Sequence, residues 1–248
     1  LLRGSFHPSE DIRAIRALVR HRENLLQSRA THIQHMQKAL HLMNVQLTNV
    51  LSDITGVTGM NIIRAILAGR HDPLDLARFR DPRCAKSEEE IVKSLQGNYR
   101  HEHLFALRQA VELYDFYTLQ MTACDREIEQ LYAAMQAQVD PEQTPLPPAK
   151  RSGATSKNSP DYDLRTALYR TAGVDLTAID GLNVLSVQTI LSEIGVDMTR
   201  WPTSKHFCTW LGLAPNNEIS GGKRLRTDTK PVKSRANLAF RQAAQALA

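Results

Sequence analysis

The fold of this chain is decided by the stretch EDIRAIRALVRHRENLLQSRATHIQHMQKALHLMNVQLTNV, residues 10–50. Apolar side chains recur in it every seven residues, at Ile12, Val19, Leu26, Ile33, Leu40 and Leu47. This spacing predicts a long amphipathic helix that packs in a coiled coil. Arg22 and Arg29 occupy the second seam position in two successive heptads. Because a buried arginine is costly, we expect this part of the helix to face something other than an apolar partner.

A second heptad pattern begins at His101 and continues to about Gln138. Its apolar positions are Leu107, Tyr114, Met121, Ile128 and Met135. Two long heptad helices that are joined by short helices predict an antiparallel hairpin, or a dimer that is built through it. We therefore expect a homo-oligomer that forms through the coiled coil.

The composition of residues 139–161, which hold five prolines and show no helical periodicity, is typical of a linker. It separates a heptad hairpin with a cap of short helices, residues 1–138, from a small helical domain, residues 162–248. In this domain Ile179-Asp180-Gly181-Leu182 resembles the turn of a helix-hairpin-helix, whose amides bind a DNA phosphate. An ordinary packed helix pair explains the same turn. The predicted fold class is all-α.

Composition excludes several classes of protein. Hydrophobic residues at 42% and charged residues at 23% are ordinary globular values, and no apolar run is long enough to cross a membrane. The cysteines stand far apart without a CxxC pair, which excludes a zinc ribbon and a disulfide framework and indicates a reducing compartment. Two pairs of histidines are close in sequence, His32 with His35 and His101 with His103. No third ligand with suitable spacing accompanies either pair, so we expect no metal site in this chain.

Basic residues concentrate at the two ends of the chain. The net charge is +4 over residues 1–50, −5 over residues 51–218 and +6 over residues 219–248. Because neutralisation of phosphates dominates nucleic-acid affinity, the basic ends predict contacts with DNA or RNA. A solvated tail explains the same charge. The candidate contacts on the first helix are Arg13, Arg16 and Arg20.

The most unusual segment is NNEISGGKR, residues 216–224, in which a serine precedes two glycines and a run of cations. It is not the phosphate-binding loop of nucleotide hydrolases. That motif, GxxxxGK[ST], would require glycine at Asn217 and a hydroxyl residue at Arg224.

A serine that attacks phosphorus in DNA needs an accessible hydroxyl, a pliable backbone and cations that stabilise the transition state. The segment contains candidates for all three roles: Ser220, Gly221, Gly222, Lys223, Arg224 and Arg226. Later cations that could contact phosphates are Lys230, Lys233 and Arg235. The spacing alone favours the alternative, a glycine-hinged surface loop with solvated charges.

Several blocks of the sequence resemble one family. WLGLAP at residues 210–215 and ISGGK at residues 219–223 are similar to the C-terminal domain of the DEDD-type bacterial insertion-sequence transposases, the "one-ten" family of serine-dependent recombinases. The middle of the chain also resembles this family, at LSDITGVTG, residues 51–59, and at EHLFALRQA, residues 102–110. The blocks occur in the order that the family shows, and they extend over nearly the whole chain.

The resemblance implies a bacterial, cytoplasmic DNA recombinase that moves its element under the guidance of an element-encoded RNA. It places the catalytic serine at Ser220, which would become covalently linked to DNA. It also implies an N-terminal RNase H-like domain whose acidic residues bind a divalent metal, Mg²⁺. Because residues 1–6 are similar to the stretch that follows this domain, we expect a fragment without a cofactor site that is inactive alone. The alternative is a non-catalytic, dimeric nucleic-acid-binding module.

Overall fold

The structure is a computed structural model that describes residues 6–149, 157–215, 217–229 and 232–247. These residues form ten α-helices and one β-hairpin: α1 (Glu10–Leu42), α2 (Leu47–Val50), α3 (Val57–Leu67), α4 (Pro73–Ala77), α5 (Glu88–Ser94), α6 (His101–Ala134), α7 (Leu164–Ala172), α8 (Val184–Ile194), α9 (Ser204–Trp210), β1 (Glu218–Ser220), β2 (Lys223–Arg226) and α10 (Arg235–Gln245). The all-α prediction is confirmed, with one small hairpin that was not expected.

The chain divides into two compact units. The first unit consists of the described parts of residues 1–22 and 122–248, and the second consists of Glu23–Met121. This division falls within both long helices, whereas the sequence suggests a boundary at the linker, residues 139–161. The organisation into segments 1–138, 139–161 and 162–248 stays a prediction.

The second unit contains the predicted antiparallel pairing of α1 with α6. Arg29 lies over the ring of Tyr114 at 5.8 Å from its centroid. Just after the end of α1, the carbonyl of Met43 accepts from the amide of Asn98, which lies just before the start of α6. The two helices therefore run in opposite directions within this unit. Their seams share one buried core that includes Met36, Leu40, Met43, Leu107 and Val111.

Helix α1 ends at Leu42, before the heptad pattern that continues to Val50 is complete. Asn44 has a φ of 59°, its amide donates to the carbonyl of His41, and the next amide, of Val45, donates to the carbonyl of Leu40. This is a Schellman ending, in which asparagine takes the left-handed position that glycine usually occupies. A sequence period cannot show such a break, because the residues after it still pack on the same core.

An aromatic cluster forms the core of the first unit. The rings of Trp201 and Trp210 lie 4.9 Å apart, and Phe6 lies 5.4 Å and 5.2 Å from them. Phe207 and Phe240 pack against the same cluster, together with buried side chains of α8. Trp210 is half-buried and packs against the core of this unit.

Arg22 is buried in the first unit, where it pairs with Asp125 of α6. The side chains of both residues are 8% exposed, and the guanidinium donates to both carboxylate oxygens and to the carbonyl of Asn158, the last at 2.9 Å. The expectation that this part of the helix faces something other than an apolar partner agrees with the charged partner of Arg22. The opposite charge of Asp125 and three hydrogen bonds make the buried arginine tolerable.

We expect Asp125→Ala to lower the free energy of unfolding by about 3–5 kcal/mol, because it leaves the charge of Arg22 buried without a counterion. Urea denaturation followed by circular dichroism measures this change. As a control, Lys86→Ala removes an exposed ion pair with Glu90 and should cost less than about 1 kcal/mol. The double variant Arg22→Met with Asp125→Leu should recover most of the loss. Equal stability of Asp125→Ala and the parent protein would contradict this account.

Candidate functional site

The segment that follows α9 forms an antiparallel β-hairpin with a two-residue turn. Ser220 pairs with Lys223, and Gly221 and Gly222 connect them with φ values of 56° and 77°. Two successive positive φ values define a type I′ turn, which matches the twist of the two strands and strongly favours glycine or asparagine. The pliable loop that the sequence suggests is therefore an ordered hairpin. Two glycines between short runs of strand-forming residues are the signal that could have predicted it.

Ser220 is the last residue of β1 and lies next to the tip of the hairpin. Its side chain is exposed, and within the described part of the chain its hydroxyl makes no hydrogen bond. Lys223 is its cross-strand partner and is also exposed. Cross-strand partners share a face, with Cβ atoms about 5 Å apart, so the hydroxyl and the ammonium can both reach one anionic group.

The structure describes only some of the other predicted phosphate contacts in this segment. The backbones of Arg224 and Arg226 lie in β2, but their side chains are outside the described residues, as is the whole of Lys230. Lys233 is exposed just before α10, and Arg235 is the first residue of that helix and is half-buried. The structure thus brings Ser220, Gly221, Gly222 and Lys223 together in one hairpin.

The arginines of α1 have a role within the first unit. Arg16 donates to the backbone carbonyls of Ser192 and Glu193 at 3.0 Å and 2.6 Å, and Arg20 donates to both carboxylate oxygens of Glu193. Cations stabilise the carbonyls at a helix C-terminus, so this pair caps α8. Burial lowers the pKa of Arg16, and the charge of Glu193 opposes this shift. Arg13 is exposed. Contact of Arg13, Arg16 and Arg20 with nucleic acid stays a prediction.

The turn that resembles a helix-hairpin-helix lies directly against α10. Gly181 has a φ of 84°, and a Cβ at this position would lie 2.4 Å from the carbonyl oxygen of Ala243. Glycine is therefore required here by its conformation and by close packing. Both requirements are internal to the fold, and neither depends on a phosphate.

The described residues contain neither a cluster of metal ligands nor a membrane-spanning helix. Among them, no group of three or more His, Cys, Asp or Glu residues is arranged to hold a metal ion. None of the described helices combines the length and the apolar character that a membrane crossing requires.

The C-terminal part of the chain matches a known protein family. Residues 173–248 match the family described as Transposase IS116/IS110/IS902 family. The matched part includes α8, α9, the hairpin and α10. No curated protein and no solved structure matches the chain. The match agrees with the resemblance of the C-terminal part of the chain and supports an insertion-sequence transposase, an enzyme that acts on DNA.

We expect Gly222→Val to open the hairpin, because a β-branched residue in the left-handed region costs about 1–2 kcal/mol or more. Space is not the cause, since no described atom lies within 4 Å of an added Cβ. Trypsin cleavage after Lys223, followed by mass spectrometry, should become about tenfold faster. Gly221→Asn is the matched control, and it should keep the parent rate because Asn-Gly is favoured in type I′ turns. Equal cleavage of both variants would contradict the turn assignment.

Proposed function

We propose, from the transposase match of residues 173–248, that this chain takes part in DNA strand exchange with Ser220 as the nucleophile. The observation that carries the proposal is the position of this residue in the matched segment. Its exposed hydroxyl stands at the tip of an ordered hairpin, beside the cation Lys223. A nucleophile for phosphoryl transfer needs this combination of access, fixed orientation and local positive charge.

The reaction begins when the Oγ of Ser220 attacks a phosphorus atom of the DNA backbone. The Oγ–P bond forms, the P–O bond to the leaving strand breaks, the hydroxyl proton passes to solvent, and the leaving oxygen takes up a proton. Lys223 offsets the negative charge that develops on the non-bridging oxygens. Gly221 and Gly222 carry no side chains, so the DNA backbone can approach the tip closely. The product is a phosphoserine link between protein and DNA.

The charge of the C-terminal segment supports DNA as the partner of the hairpin. Residues 219–248 carry seven lysine and arginine side chains and a single aspartate. Each cation that neutralises a phosphate releases condensed counterions, which supplies affinity without sequence specificity. Exposed Lys233 and Arg241 extend this charge beyond the hairpin, along the approach to α10 and on the helix itself.

We also propose that an element-encoded RNA guides the reaction. This proposal rests on the resemblance alone.

We propose a second copy of this chain as a further partner. Within each unit the heptad seams are filled by α1 and α6 of the same chain, so a second copy requires another surface. In the second unit, four apolar side chains of α6 are exposed: Phe105, Leu113, Phe116 and Leu119. Their spacings of eight, three and three residues place all four on one side of the helix. This stripe supports self-association.

We further propose that the chain alone does not catalyse strand exchange, because the resemblance assigns the metal-binding acids to an N-terminal RNase H-like domain. Two-metal phosphoryl transfer requires such acidic ligands. The role of this chain is then to supply the nucleophile and the basic surface that holds DNA.

Ser220→Ala should abolish a covalent protein–DNA adduct while DNA binding is retained, because only the attacking oxygen is removed. The experiment joins the chain to the N-terminal acidic domain and incubates it with Mg²⁺, element-end DNA and the element-encoded RNA. Adducts are counted on denaturing gels. The chain without that domain should give no adduct.

Thr227→Ala is the matched control, since Thr227 is also an exposed hydroxyl residue close to the hairpin. It should leave the amount of adduct unchanged. An adduct that persists in Ser220→Ala would refute the nucleophile. Binding without an adduct in the unmutated protein would favour the non-catalytic nucleic-acid-binding module.

Replacement of Lys223, Arg224 and Arg226 by Gln should flatten the dependence of DNA affinity on salt. Each lost phosphate contact reduces the slope of log K against log salt by about 0.9. Fluorescence anisotropy with a labelled duplex at several salt concentrations measures this slope. Lys93→Gln, an exposed cation outside the matched segment, should leave it unchanged. An unaltered slope in the triple variant would show that the hairpin does not contact phosphate.

A further inference from the structure

The hairpin carries two large aliphatic side chains that no part of the described chain covers. Ile219 is 63% exposed and Leu225 is 68% exposed. A two-stranded hairpin is only marginally stable on its own in water. Burial of these two side chains against a partner would therefore stabilise the hairpin as well as the complex.

A β-bulge inserts Leu225 into the strand pairing close to Ile219. Ile219 pairs with Arg224, but Glu218 pairs with Arg226, so Leu225 is the extra residue of β2. In a bulge, the extra residue and one neighbour together oppose one residue of the other strand, so Leu225 lies opposite the segment of Glu218 and Ile219. The two-residue alternation of a strand places Ile219 on the face opposite to Ser220. The exposed surface that Ile219 and Leu225 form is called the aliphatic face of the hairpin.

The charge of the segment indicates which partner covers the aliphatic face. The hairpin lies in the stretch with a net charge of +6, and Lys223 is exposed at its tip. An apolar protein surface that covered this hairpin would have to desolvate these cations, which is costly. DNA accepts both features, because its phosphates pair with cations while its bases offer apolar faces. Leucine and isoleucine are among the residues that proteins insert between base steps.

We propose that Ile219 and Leu225 form an apolar wedge that packs on unstacked bases beside the phosphate that Ser220 attacks. The proposal rests on the proposed function and deepens it, since it names the part of the DNA that the hairpin recognises. A two-stranded ribbon is narrow enough to enter a DNA groove. Because the wedge and the hydroxyl lie on the same short hairpin, the hairpin reaches bases and backbone together. Unstacking at this step makes the scissile phosphate accessible.

The test compares two labelled 30-base-pair duplexes that differ only in three central mismatched pairs. Mismatched bases are already partly unstacked, so a wedge spends less free energy on them. By anisotropy, the chain should bind the mismatched duplex about tenfold more tightly than the paired one, a difference of about 1.4 kcal/mol. Ile219→Thr with Leu225→Thr should lose this preference and keep the affinity and the salt slope for the paired duplex.

Two matched variants complete the test. Ile219→Val with Leu225→Met preserves the aliphatic character and should keep the preference. Val57→Thr, which changes an equally exposed aliphatic residue of the second unit, should also keep it. A preference that survives in the double threonine variant, or one that is absent from the unmutated chain while it binds both duplexes, overturns the wedge alone. Failure to bind either duplex overturns the proposed function as well.

Sedimentation of the double threonine variant distinguishes a protein partner. If its mass is lower than that of the unmutated chain, the aliphatic face belongs to an interface between copies and the wedge is refuted. An unchanged mass together with the lost preference supports the wedge.

Discussion

The buried ion pair of Arg22 with Asp125 is the interaction on which the arrangement of the first unit depends. It joins α1 to α6 and, through the carbonyl of Asn158, to the segment that leads into α7. A charge in this position is tolerable only when its partner stays in place, since removal of either one leaves an uncompensated charge in an apolar surrounding. The pair therefore penalises any other register between the two helices.

Other contacts in the first unit build on this pairing. Arg16 and Arg20 cap the C-terminus of α8, and Gly181 packs against α10 at a distance that excludes any side chain. Around α8 the aromatic cluster buries Trp201 against neighbouring rings. These contacts fix the helices on either side of the hairpin. The hairpin itself is held by its own turn and by the bridge between Pro215 and Thr229.

The hairpin keeps its chemical groups outside this packed framework. A serine that packed in the core would be buried and hydrogen-bonded, whereas Ser220 is exposed. Aliphatic side chains that served the core would likewise be covered, whereas Ile219 and Leu225 are exposed. An ordered turn that presents an exposed hydroxyl, a cation and an apolar face is suited to a ligand with phosphates and bases.

Much of this could be predicted from local patterns. The heptads of α1 and α6 place apolar residues on one side of each helix, and the structure buries most of them, as at Ile15, Leu40 and Leu107. Serine before three glutamates predicts the start of α5, and Ser87 forms a full capping box with Glu90. Ser220 was proposed as a nucleophile from its neighbours in sequence and from the family resemblance, and the structure places its exposed side chain beside Lys223.

The amino-acid sequence by itself determined the helical periodicity, the break at the glycine pair and the segregation of charge, since each depends on residues a few positions apart. Only the tertiary structure decided which charged side chains form ion pairs or hydrogen bonds within the protein. Arg16, Arg20 and Arg22 look alike in sequence, yet their partners Glu193 and Asp125 lie more than a hundred positions away. The same holds for Leu225, which becomes the extra residue of a bulge through the pairing of the two strands. Pairing between residues far apart in sequence depends on how the whole chain packs, and a local sequence period does not reveal it.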